Sequence, residues 1–140
     1  MRRKKKVMVC VTQQKSCERL IDFGASLISS EYDELHVVHV VKENWKYFGQ
    51  LTEEDALEYL FEVSKKHHAS LSVIKAKDIE KTLSDYAEKN KINNIIMGES
   101  FEKDEQQNMI NRLQEKTKIT VKFQIVPLNF DDESEIISIE

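Results

Sequence analysis

The chain has 140 residues, of which 40% are hydrophobic and 33% are charged, and its formal net charge is −4. This length and composition are typical of one soluble globular domain, and they exclude a chain that is disordered throughout. The acidic balance argues against a nucleic-acid-binding protein, because such proteins present a basic face to phosphate.

No apolar run approaches the roughly 20 residues that a helix needs to span a bilayer. The basic amino terminus is followed by an apolar run that is too short for a secretory signal. We therefore expect a cytoplasmic protein that does not contact a membrane. Cys10 and Cys17 have no partners at zinc-binding spacing. Both are expected to be packed thiols, and neither a metal ion nor another cofactor is predicted.

The first predicted strand, 7–11, is a continuous Val-rich run that a polar turn, 12–16, joins to a helix beginning near Cys17. Such a run is typical of a strand buried on both faces of a parallel sheet, and it is expected to lie at the centre of that sheet. The helix carries Gly24 on its apolar face and is expected to end near Ser29. Because glycine lowers helix stability, its presence there predicts close packing against the sheet.

The rest of the chain continues the alternation of strands and helices. Further strands are predicted at 35–41, 71–74, 94–98 and 120–126, and further helices at 52–68, 78–90 and 104–116. The strand at 71–74 is shorter and more polar than the others. Phe61 is expected on the buried face of the helix 52–68, and Asp78 is expected to cap the helix that it begins. The fold class is therefore an α/β domain with an open, five-stranded parallel sheet and helices on both faces. The last strand alternates apolar and polar residues, as an edge strand does. The predicted domain covers residues 1–128, and the acidic tail 129–140 is expected to be partly disordered or to add a strand.

Two groups of residues in this pattern have more than one interpretation. His36 and His39 lie on opposite faces of the second strand, so they cannot share a metal ion and are expected to be hydrogen-bonded core or rim residues. Trp45, Tyr47 and Phe48 lie in the loop that follows. They would either stack on a ring-shaped ligand or fold back on the core.

The sequence contains only three glycines, so it has neither a P-loop nor a dinucleotide-binding fingerprint. It also has no Gly-x-Ser-x-Gly elbow and no pair of acids placed for acid–base catalysis. The protein is therefore predicted not to be an enzyme.

Uncharged polar residues follow the first strand, and Gly98 and Ser100 follow the fourth. The carboxyl ends of these strands would meet where the strand order reverses, which is where open α/β sheets bind ligands. An alternative is that Ser16 only caps its helix and that the two glutamines only form the turn. The candidate ligand-binding residues are Thr12, Gln13, Gln14, Ser16, Val41, Gly98 and Ser100.

The sequence resembles the universal stress protein family in the segments 7–11, 16–21, 34–40 and 94–98. The first two segments are most similar to the universal-stress-like domain of KdpD potassium-sensor histidine kinases. The resemblance implies the strand order 3-2-1-4-5 of the adenine-nucleotide alpha-hydrolase-like fold. It also implies a homodimer through the fifth strand and a small nucleotide ligand, either an adenine nucleotide or a cyclic dinucleotide. The chain would be a freestanding relative or a piece of a larger sensor.

Many members of this family bind ATP through a motif of three spaced glycines after the fourth strand, the last followed by Ser or Thr. Gly98 matches the first position, but Phe101, Asn111 and Arg112 occupy the others, and Thr12 stands where ATP-binding members often have Asp. The resemblance therefore implies a non-enzymatic regulatory domain in stress or potassium signalling that is not an ordinary ATP binder. The alternatives are a ligand-free dimerisation module and a weak nucleotide-binding universal stress protein.

Overall fold

The computed structural model describes residues 4–11, 17–42, 53–99, 102–117 and 121–127. The predicted alternation of strands and helices is confirmed. The strands are β1 (Lys6–Cys10), β2 (Glu34–Lys42), β3 (Ser70–Ala76), β4 (Asn94–Gly98) and β5 (Lys122–Val126), and the helices are α1 (Cys17–Ser26), α2 (Glu53–Lys66), α3 (Ile79–Lys89) and α4 (Lys103–Lys116). The predicted aromatic loop and acidic tail lie outside the described residues. None of the helices in the described part of the chain is long and apolar enough to cross a membrane.

The five strands form one parallel sheet in the order β3-β2-β1-β4-β5, as predicted. β1 lies at its centre and pairs with β2 on one side and with β4 on the other. Val7, Met8 and Val9 are fully buried. The Val-rich run at the start of the chain is therefore the centre of the core, because both faces of that strand are covered.

Helices cover both faces of the sheet, and alternate side chains of β1 divide between the two sides. Val7 and Val9 belong to the core on the face of α1 and α2, whereas Met8 and Cys10 belong to the core on the face of α3 and α4. Burial raises the pKa of the Cys10 thiol to about 12. Cys10 is thus the packed residue that was predicted, while the side chain of Cys17 lies outside the described residues.

Gly24 explains how closely α1 approaches the sheet. A Cβ atom at this position would lie 2.6 Å from Cγ2 of Val9 and 3.2 Å from Cδ1 of Leu35. The predicted close packing is confirmed. The helix ends at Ser26, earlier than predicted, because the amides of Leu27 and Ile28 bond to carbonyls three residues back and tighten the chain into a turn.

Two predictions about individual elements were wrong. Phe61 was assigned to the buried face of α2, but it is 52% exposed, and Val63 packs in its place. The third strand was predicted to be short, but β3 pairs with β2 along all seven residues from Ser70 to Ala76. β3 is an edge strand, and edge strands need less apolar sequence because they bury less surface.

Candidate functional site

The candidate site lies at the carboxyl ends of β1 and β4, between which the strand order reverses. The last paired residues of these strands are Val9 and Ile96, so Val11 and Gly98 occupy corresponding positions two residues beyond the last pair. Val11 is 2% exposed, and Gly98 is half-buried. We call the region formed by Val11, Gly98 and Glu99 the β1–β4 mouth.

β2 holds Val11 through both of its backbone polar groups. The amide of Val11 donates to the Val38 carbonyl at 3.0 Å. The Val11 carbonyl accepts a hydrogen bond from Nδ1 of His39, with 2.7 Å between the nitrogen and the oxygen. His39 is only 3% exposed, so this contact lies within the protein below the mouth.

His36 lies on the other face of β2, and the predicted separation of the two histidines is confirmed. Its Nδ1 lies 2.8 Å from the hydroxyl of Tyr86, and its Nε2 lies 2.9 Å from Oε1 of Glu34. Both histidines are therefore hydrogen-bonded residues of the core. Among the residues that the structure describes, no group of His, Cys, Asp and Glu side chains is arranged to hold a metal ion.

The β4 side of the mouth is held by the start of α4 and by the end of β5. The Gly98 carbonyl accepts from Nε2 of Gln106 at 2.8 Å, and the Glu99 amide donates to the Val126 carbonyl at 2.9 Å. The nearest side-chain atoms to a Cβ at Gly98 would belong to Leu20 at 3.5 Å, which is an ordinary contact. The described part of the fold therefore has room for a Cβ atom at position 98.

The positions that match the second half of the family's ATP motif lie in the interior of α4. There, Asn111 and Arg112 use their backbone amides in helical hydrogen bonds, whereas a phosphate site needs free amides. The guanidinium of Arg112 faces α3 instead, donating to both carboxylate oxygens of Glu80 at 2.7 Å and to Glu105 at 3.1 Å. The chain therefore departs from the ATP-binding motif in secondary structure as well as in residue type.

The contact with Arg112 makes the stability contribution of Glu80 depend on pH. Hydrogen bonding from Arg112 holds the pKa of the Glu80 carboxyl below its usual range, although desolvation acts in the opposite direction. Since the folded-state pKa is lower than the unfolded one, this carboxylate stabilises the fold at neutral pH, and the contribution is lost as pH falls through the folded-state pKa. We expect Glu80→Gln to lower Tm at pH 7 and to make Tm fall less between about pH 5 and pH 3.

Thermal unfolding followed by circular dichroism measures this difference. Asp85→Asn on the same helix is the control, because Asp85 and its partner Lys81 are 66% and 70% exposed and such a pair contributes little. An equal gap in Tm between the wild type and Glu80→Gln at both ends of the pH range would contradict the prediction.

Two of the seven predicted ligand-binding residues are described. Gly98 borders the mouth as expected, whereas Val41 is a 3%-exposed residue near the end of β2, paired with Lys75 of β3. Five predicted residues lie outside the described residues: Thr12, Gln13, Gln14, Ser16 and Ser100. The hydrogen bonds that His39, Gln106 and Arg19 make near the site were not predicted from the sequence. Arg19 donates from Nη1 to the Pro127 carbonyl at 2.7 Å, and no local pattern indicates such a distant contact.

The comparison with known families decides what kind of protein carries this site. The sequence matches the model of the universal stress protein family over residues 4–110, which is more than half of the chain. The chain belongs to the universal stress protein family. A comparison with curated proteins finds no match.

Solved universal stress proteins share this fold at low sequence identity. A family member from Burkholderia pseudomallei is 14% identical, with a TM-score of 0.55, and the match covers 86% of this chain and 95% of that one. The universal stress protein from Archaeoglobus fulgidus in complex with dAMP is 17% identical, with a TM-score of 0.54 and coverages of 88% and 98%. A universal stress protein in complex with cAMP is 11% identical, with a TM-score of 0.55 and coverages of 87% and 96%.

Proposed function

We propose that this universal stress protein is a non-enzymatic regulatory domain that binds a small nucleotide, a nucleoside monophosphate or a cyclic nucleotide, at the β1–β4 mouth. The observation that carries the proposal is the position of Val11 and Gly98, which lie just beyond the last pair of the adjacent strands β1 and β4, where the strand order reverses. Family members that contain dAMP and cAMP have the same fold and support the choice of ligand class.

The region beside the mouth favours a ligand with little negative charge. Four acidic residues lie at the end of β4 and at the start of α4. Glu99 pairs with Lys103 at 3.4 Å, and Glu105 pairs with Arg112 at 3.1 Å. A triphosphate carries more negative charge than a monophosphate or a cyclic phosphodiester, so these carboxylates would repel it most. The four residues are Glu99, Glu102, Asp104 and Glu105.

The non-enzymatic role rests on the residues themselves. The chain has no P-loop and no nucleophile elbow, and Cys10, whose thiol pKa is raised to about 12, is not activated as a nucleophile. Its resemblance to the KdpD domain supports a place in stress or potassium signalling. Binding would then act on a partner or on the remainder of a larger sensor, without turnover of the ligand.

Isothermal calorimetry with AMP, cAMP, cyclic di-AMP and Mg–ATP tests the proposal. We expect binding of at least one of the first three probes and no comparable binding of ATP. Gly98→Ala should weaken that binding by about tenfold or more, because a methyl group occupies space that the ligand needs beside the backbone.

Gly98→Ala is informative because the fold has room for the added methyl group, so its Tm should stay close to that of the wild type. Ser70→Ala, at the start of β3 and far from the mouth, is the matched control and should not alter affinity. If calorimetry detects no binding of any of these nucleotides to the wild type, up to the millimolar range of weak binding, the proposal is overturned.

A second proposal is that the protein forms a homodimer through β5. β5 is an edge strand, and edge strands present unpaired backbone groups that pair readily with another strand. Ile125 on this strand is 36% exposed. Val73 on the opposite edge strand, β3, is exposed to a similar degree, 38%, so the choice of β5 rests on the resemblance to the family, which implies a dimer through the fifth strand.

The two edges of the sheet provide a matched experiment for the dimer. Ile125→Arg on β5 should convert the dimer to a monomer in sedimentation velocity, because it places a charge at the contact. Val73→Arg on β3, where the side chain is 38% exposed, should leave the dimer intact. A chain truncated after Pro127 shows whether the tail contributes. A monomeric wild type, or a dimer that persists in Ile125→Arg, would refute the arrangement.

A further inference from the structure

We infer that Arg19 is a positioning residue for the proposed ligand site. Its side chain joins α1 to the end of β5 across the gap at which β1 and β4 separate, and it thereby sets the width of the β1–β4 mouth. This role rests on the proposed function, because the width of the mouth matters only to a ligand that binds there. Arg19 acts on affinity through the two sides of the gap and does not contact the ligand.

The pairing registers show that the sheet divides at its carboxyl edge. β1 is paired with β4 only as far as Val9 and Ile96. β4 stays paired with β5 for two more residues, to Gly98, and β1 stays paired with β2 for one more residue, to Cys10. Beyond Ile96 the sheet therefore consists of a β1–β2 half and a β4–β5 half, and the mouth is the gap between these halves.

The directions of the backbone groups place the start of the gap at Gly98. The Glu99 N–H donates to the Val126 carbonyl on β5 at 2.9 Å. Successive residues of a strand direct their N–H groups to alternate sides, so the Gly98 N–H faces β1. In a continued β1–β4 ladder its acceptor would be the Cys10 carbonyl, but the register ends before this bond. The two strands have therefore separated at the level of Gly98.

α1 spans the gap on one face of the sheet. Its Gly24 end is fixed on the β1–β2 half, because a Cβ atom there would lie 2.6 Å from Val9 and 3.2 Å from Leu35. Its first turn lies against the β4–β5 half, because both Cδ atoms of Leu20 lie 3.5 Å from the position of a Cβ atom at Gly98. A contact made by that first turn can therefore hold the two halves at a fixed separation.

Arg19 makes such a contact beside Leu20. Its Nη1 donates to the carbonyl of Pro127 at 2.7 Å, and Pro127 directly follows the last residue of β5. The donor is a charged guanidinium, which makes the hydrogen bond stronger than one between neutral groups. A mouth whose width is fixed before the ligand arrives loses less conformational freedom on binding, and this raises affinity.

Two substitutions of Arg19 test this role in calorimetry with adenosine, which has no phosphate, and with AMP. Arg19→Met removes the donor and keeps much of the apolar stem, whereas Arg19→Lys keeps a charged donor for the single N–H bond to Pro127. We expect Arg19→Met to lose about fivefold or more in affinity for both probes, and Arg19→Lys to stay within about threefold of the wild type.

Arg112→Met is the matched control, because the same chemical change removes a contact between α3 and α4 instead of one across the mouth. It should lower Tm and leave both affinities unchanged. If Arg19→Met lost affinity for AMP alone, Arg19 would contact the phosphate directly, and the positioning role would be refuted. Affinities equal to those of the wild type for both probes would also refute it.

Nuclear Overhauser effects in the ligand-free protein test the width of the mouth without any ligand. The effect between the Leu20 methyl groups and the Gly98 Hα atoms should weaken in Arg19→Met, whereas the effect between Gly24 and the Val9 methyl groups should persist. An unchanged Leu20–Gly98 effect would overturn the inference. If the wild type binds neither adenosine nor AMP, the ligand part is lost with the proposed function, and these spectra still decide whether Arg19 holds the two halves together.

Discussion

Replacing Gly24 with alanine is expected to lower the free energy of unfolding by about 2 kcal/mol, and replacement with valine by about 3 kcal/mol or more. The added Cβ would lie 2.6 Å from Cγ2 of Val9, closer than two non-bonded carbon atoms normally approach. Val9 is fully buried on the central strand and has little freedom to withdraw. The usual gain of about 1 kcal/mol from replacing glycine with alanine in a helix is outweighed by this clash.

Denaturant unfolding of the variants measures the effect. Gly98→Ala is the control, since its added methyl group meets no atom of the described residues closer than 3.5 Å, and its stability should change by about 0.5 kcal/mol or less. A double-mutant cycle with Val9→Ala removes the clashing atom and should make Gly24→Ala much less costly in that background. Additive effects in the cycle would show that α1 does not pack on β1 at this point.

Val37→Ala is expected to cost about 2–3 kcal/mol, whereas Val73→Ala is expected to cost about 0.5 kcal/mol or less. Both valines lie in adjacent strands, but Val37 on β2 is fully buried and Val73 on β3 is 38% exposed. The first substitution opens a cavity between β2 and the α1–α2 layer that neighbouring side chains fill only in part. In Val73→Ala, water fills the space that the smaller side chain leaves.

The comparison of the two valines tests the strand order directly, because the same chemical change is made at an interior and an edge strand. Chemical denaturation with urea gives both free energies, and an unchanged slope with denaturant shows that the folded state stays compact. Equal costs at the two positions would mean that β3 is covered by another part of the protein or by a partner, and would contradict the assignment of β3 as a free edge.

Local patterns in the sequence determined most of the architecture. The Val-rich run 7–11 identified β1 as the central strand, and Gly24 indicated close packing of α1. Asp78 was predicted to cap α3, and its carboxylate accepts from the Lys81 amide at 3.0 Å. These features are readable because apolar periodicity, caps and glycine each act over a few residues.

Only the tertiary structure decided which surfaces and contacts those elements would have. The polar sequence of β3 predicted a short strand, and the apolar spacing of α2 predicted a buried Phe61. Both predictions failed because a local pattern does not state which neighbouring element covers a residue. The contacts of His39 with Val11 and of Arg112 with Glu80 join residues 28 and 32 positions apart. Such pairs arise from the order in which the strands lie in the sheet, and that order is a property of the whole chain. The sequence therefore predicted where the candidate site would lie, whereas the groups that hold Val11 and Gly98 in place were found only in the fold.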